Sequence, residues 1–224
     1  MKEPTISETL FERFCAETGI PFVSLAPDPS AGLPTPDYEI HLQEPPILVE
    51  VKQIDPNRED QASLQTFAET GEYSFSGVPG ERLRGRISKA GSQLRARVRP
   101  DQPTLVVVYN NVDVLRGFTG PDAVMSAMYG LYQTVITTTR GVGARVLSVN
   151  NQLGGGRSMT PQHNTTISGL GVLFEGPTNP HLVVYHNRFA AVPIRPDILR
   201  RSRILQRCIQ EEDGNNFPEW RDLQ

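Results

Sequence analysis

The chain has 224 residues and a mass of 24.8 kDa, with 38% hydrophobic and 21% charged residues, enough to bury the core of one sizeable domain. Its longest unbroken apolar run, Leu105 to Tyr109, falls far short of the roughly 18 to 20 residues that a membrane-spanning helix needs, so no membrane partner is expected. The net charge of −3 conceals an asymmetry: residues 1–80 carry 14 acids against Lys2, Arg13, Lys52 and Arg58, whereas residues 81–224 carry 11 acids against 18 bases. Only three of the 22 bases are lysines, Lys2, Lys52 and Lys89, although an arginine bias also follows from GC-rich coding. The start of the chain lacks the apolar core of a secretory signal, which predicts a cytoplasmic protein. Cys15 and Cys208 are too few for a disulfide scaffold or a four-ligand zinc site, and Cys15 reads as a core thiol.

Thr5-Ile6-Ser7-Glu8 has the capping-box pattern, and Ile6, Leu10, Phe11 and Phe14 follow at helical spacing, predicting a helix that Gly19 ends. Ile20 to Leu25 is a short β-type run. Two further runs, Asp37 to Leu42 and Ile47 to Gln53, flank Gln43-Glu44-Pro45-Pro46 and predict an antiparallel hairpin. Ile54 to Gly80 is polar, with a weak helical pattern over Asp60 to Ala68. Leu83, Ile87, Ala90, Leu94 and Val98 then form the apolar stripe of a helix stopped by Pro100. Thr104 to Tyr109 predicts a strand buried on both faces, and Asp122 to Val135 a helix. Strands are expected at Ala144 to Val149, Thr166 to Glu175 and Leu182 to His186. The end, 195–224, reads as a basic helix bearing Arg200, Arg201, Arg203 and Arg207, followed by an acidic tail, after a main domain over 1–194. This order predicts an α/β fold, a mixed sheet with helices on both faces.

Chemistry concentrates in Ile47-Leu48-Val49-Glu50-Val51-Lys52, apolar except for two opposite charges two residues apart, hence on one strand face. If the hairpin turns between Gln43 and Glu44, residues whose numbers sum to 87 lie opposite each other, which pairs Asp37 with Glu50. Two carboxylates so close repel unless they share a proton or a cation, and a hard divalent cation with oxygen ligands is the natural solution. Such a patch suits phosphodiester hydrolysis, with Lys52 steadying the attacking hydroxide or the charge on phosphorus.

Thr35-Pro36-Asp37-Tyr38, thirteen residues before Glu50-Val51-Lys52-Gln53, resembles the PD-(D/E)XK nuclease superfamily, over about residues 5–110. The resemblance implies a three-layer α/β/α, restriction-endonuclease-like fold and a DNA endonuclease acting in defence or repair. It implies that Asp37 and Glu50 bind Mg²⁺, which Mn²⁺ would replace, with the Val51 carbonyl as a third ligand, and that Lys52 is catalytic. The family's first-helix glutamate maps to Glu8, with Glu12 one turn later as the alternative, and Lys89 and Gln93 match its accessory helix position.

Each assignment has a plainer rival. Glu50 and Lys52 could form a cross-strand salt bridge, Asp37 could be a turn residue, and Glu8 could simply complete the capping box. Lys89 and Gln93 share a stripe with Arg82, Arg86 and Arg97, either a solvated helix face or a phosphate-facing surface. A catalytically silent nucleic-acid-binding or assembly subunit, and a module that docks a protein, are the rival functions. A homodimer or a separate partner subunit would help a lone site cut both strands.

Overall fold

The computed structural model describes residues 3–26, 34–72, 77–112, 117–210 and 218–223. Helix α1 (Ile6–Thr18) begins at the capping box, where Glu8 N–H donates to Thr5 Oγ1 and Thr5 N–H donates to Glu8 Oε2. It ends at Gly19, whose φ of 65° is left-handed. Strands β1 (Phe22–Ser24), β2 (Tyr38–Ile40) and β3 (Ile47–Ile54) follow, each antiparallel to the next. The hairpin register is the expected one: Tyr38 faces Val49 and Ile40 faces Ile47, pairs that sum to 87.

Helix α2 (Arg58–Thr70) is longer than its weak pattern indicates, because Asn57 and Asp60 form a second capping box. Asp60 is its one buried residue and pairs with Arg82 at 2.6 Å, so a polar anchor rather than an apolar stripe holds this helix down. Helix α3 (Glu81–Arg97) carries the expected stripe, with Leu83, Ile87, Ala90 and Leu94 all buried. Strand β4 (Thr104–Asn110) runs parallel to β3 and is buried over Thr104 to Val108.

Two expectations are corrected beyond β4. Helix α4 (Pro121–Tyr129) stops short of the predicted Val135, because Gly130 takes a φ of 113° and a Cβ there would lie 2.4 Å from the Gly154 carbonyl oxygen. The chain turns instead into β5 (Tyr132–Thr138), which pairs with β6 (Val146–Leu153) as a separate two-stranded ribbon. Strands β7 (Gly169–Phe174) and β8 (His181–His186) match their patterns. The predicted C-terminal basic helix is absent: Pro196–Leu199 is one 3-10 turn, and Ile204–Ile209 is strand β9, parallel to β8. Arg203 takes a left-handed φ of 68°, which breaks a helix there, and pairing satisfies the backbone of Ile204–Ile209. Of the predicted acidic tail, residues 211–217 lie outside the described residues, and β10 (Trp220–Leu223) closes the sheet against β9.

The eight strands run in the order β1-β2-β3-β4-β7-β8-β9-β10. One face packs on α1 through Leu10, Phe11 and Phe14 with Val49, Val51 and Val107, and the other on α3 and α4 with Leu48, Ile54 and Val106. This mixed α/β arrangement is compatible with three α/β/α layers. Replacing Asp60 by Ala should lower unfolding stability in urea by about 2 kcal/mol and expose the amides of α2 to hydrogen exchange, since it leaves Arg82 without its carboxylate.

Candidate functional site

Because successive strand residues alternate faces, Leu48, Glu50, Lys52 and Ile54 turn toward α3, while Val49 and Val51 turn toward α1. Glu50 is fully buried under α3. One of its oxygens accepts from the Lys52 ammonium, whose side chain stays 20% exposed. The other, Oε2, is buried with no hydrogen-bond partner among the described residues. Gln93, on α3, lies close enough to favour the charged form, yet burial and the charge of Asp37 prevail and raise the Glu50 carboxyl to about 7.

Asp37 comes just before β2, where the expected pairing with Glu50 breaks: the ladder ends at Tyr38 opposite Val49, and the Asp37 backbone bonds Val49 on one side and Leu25 on the other, as in a β-bulge, although its charge still acts on Glu50. Its N–H donates to the Val49 carbonyl at 3.1 Å, and its Oδ2 accepts from the Val51 N–H at 2.8 Å. The N–H and C=O of one strand residue point the same way, so the Val51 carbonyl also faces the Asp37 side. Among the described residues no group of three or more His, Cys, Asp or Glu side chains gathers as a metal site. A cation here would therefore rest on two carboxylates, with the Val51 carbonyl and water completing its oxygen shell.

The remaining predicted residues separate into those near this patch and those used elsewhere. Glu8 belongs to α1, on the opposite sheet face from Glu50, and its carboxylate is engaged by Thr5 N–H. Glu12 accepts from the Tyr38 hydroxyl at 2.9 Å. On α3, Gln93 reaches Glu50, whereas Lys89 is exposed. Arg82 is committed to Asp60 and to the Asp55 carbonyl and lies over the Phe118 ring, holding α2 in place. Arg86 is partly exposed one turn along the stripe.

Arg97, one turn beyond Gln93, has two buried guanidinium nitrogens without partners among the described residues. It helps line a cavity of about 220 Å³ together with Thr35, Pro36, Glu39, Leu48 and Arg99. Glu39 and Arg99, paired at 3.2 Å, are neighbours of the site that sequence reading missed. The available signal was the position of Glu39, two residues after Asp37 and so on the same strand face.

The Glu50 shift has a consequence for stability. A carboxyl raised to about 7 in the fold from an ordinary 4.5 holds its proton while the unfolded chain loses it, so its contribution declines as pH rises from 4.5 to 7. Glu50→Gln cannot ionise. Between pH 4 and pH 8, in chelator, its stability relative to wild type should therefore shift by about 3 kcal/mol in its favour, read from paired urea titrations.

No protein-family model matches this chain, and searches of curated proteins and of solved structures likewise find no match.

Proposed function

We propose that this chain is a metal-dependent nuclease of restriction-endonuclease-like fold that hydrolyses phosphodiester bonds of DNA. The observation that carries the reading is the closeness of the Asp37 carboxylate, held at the Val51 N–H, to Glu50, with Lys52 on the Glu50 face and one buried Glu50 oxygen unpartnered among the described residues. An orphaned carboxylate oxygen beside a second carboxylate fits a hard divalent cation. Mg²⁺, or Mn²⁺ in its place, would be held by Asp37, Glu50 and the Val51 carbonyl. When bound, the cation would supply Lewis acidity toward a phosphoryl oxygen and a water of lowered pKa.

The protein's own groups prepare that chemistry. The Val51 N–H fixes the Asp37 carboxylate, so its orientation is set before substrate arrives. Gln93 and Lys52 both favour ionised Glu50, opposing the burial that keeps its proton on. Lys52 is the partly exposed member of the pair and is placed to donate to negative charge developing on phosphorus. The preference for DNA comes from the family resemblance of the Asp37 and Glu50-Val51-Lys52 motifs. The complete burial of Glu50 favours one second reading, a binding subunit that keeps the fold without cleaving.

Purified wild type, Lys52→Ala and Asp37→Ala should be compared on duplex and single-stranded DNA with Mg²⁺, Mn²⁺ and chelator. Cleavage should require the cation and fall at least about 100-fold in either variant. Full activity in Lys52→Ala would reject the catalytic assignment, and binding with no product under any condition would select the silent subunit. Because the cation needs Glu50 ionised, cleavage should rise with pH and level off above about 7.

A further inference from the structure

From Ala123 to Phe174 the chain contains no Asp or Glu, although acids make up 25 of its 224 residues. The β5–β6 ribbon lies within this stretch. All of β5 is exposed, and Leu153 at the base is the one buried residue of β6. Seven cross-strand positions, from Tyr132 opposite Leu153 to Thr138 opposite Val146, make it about 20 Å long. Its outer end carries Arg140, Arg145 and the fully exposed Val142. Gln133 with Gln152, and Val135 with Asn150, line one face; Thr134 with Asn151, and Ile136 with Val149, line the other. Arg157 and Arg188 border the base of the ribbon beside Tyr129 and Gln152.

An isolated two-stranded hairpin is marginal in water, and this one exposes Ile136, Val146, Leu147 and Val149. Exposed apolar side chains on so marginal a unit invite a partner, and the ribbon's chemistry selects which one. A ribbon with cations and no acids is complementary to a polyanion. Two antiparallel strands fit the roughly 12 Å major groove of B-DNA, and minor-groove arms combine Arg, Asn and Gln with apolar wedges. A second copy of the chain would cover the apolar side chains, but two-fold pairing of the ribbons would offer Arg140 and Arg145 no acid on either one.

We propose that the β5–β6 ribbon is an arm that grips duplex DNA by entering a groove. This rests on the reading of the chain as a DNA-acting protein, but not on cleavage. The test is fluorescence anisotropy of a labelled duplex with the full chain in chelator, at several salt concentrations, for wild type and for the double variant Arg140→Glu, Arg145→Glu. The variant should bind about tenfold or more weakly, with a salt dependence shallower by about two phosphate contacts and an unchanged melting temperature. Wild type that binds without ever cleaving would leave the arm standing and remove the nuclease. Wild type that cleaves, together with a variant whose affinity and salt slope are unchanged, would remove the arm and leave the nuclease. Loss of duplex binding by wild type at low salt would overturn the arm. So would conversion of a dimer to a monomer by Ile136→Thr, Val149→Thr with DNA affinity unchanged, which would name a second copy as the occupant.

Discussion

Glu50 is buried on β3 in the interior of the sheet, and a carboxylate placed there is costly unless cations or donors surround it. The neighbouring elements answer that cost only in part. Lys52 approaches from the same strand and Gln93 from α3, yet Asp37 adds a like charge across the hairpin and one Glu50 oxygen finds no partner among the described residues. The register is what forces this meeting. A slip of one residue between β2 and β3 would separate Asp37 from Glu50, and a shift of β3 by one residue would turn both charges into the apolar cluster under α1.

Helix α3 shows how one element serves both stability and the site. Its buried stripe of Leu83, Ile87, Ala90 and Leu94 closes the core over β3 and β4. The adjacent stripe one residue back divides its work: Arg82 anchors α2 through Asp60, Gln93 meets Glu50, and Arg97 borders the cavity at Glu39. A basic helix face is thus not one surface with one use. Where each arginine ends depends on the acids brought against it by α2 and β2.

Local patterns were faithful where burial and backbone capping agreed. The capping box of α1, the stripe of α3 and the β-branched run of β4 each appear as their residues indicate, because each is satisfied by its neighbours in sequence or by uniform burial. They failed where a partner distant in sequence decided the outcome. Tyr132 to Val135 continues a plausible helical face, but close contact of Gly130 with Gly154 turns the chain into a ribbon. Of the arginines expected on a C-terminal helix, Arg207 sits on a strand because β8 offers an open edge to Ile204–Ile209.

By itself the sequence determined the charged triplet of Asp37, Glu50 and Lys52, the hairpin register over Tyr38 to Ile40, and the α/β class. Those follow from strand alternation and turn position, which are local. Tertiary structure alone decided that Glu50 would be sealed from solvent, that α1 and Glu8 with it would lie on the far face, and that Arg82 would bind Asp60. Burial and charge pairing depend on which elements pack together, and no spacing along the chain encodes that directly.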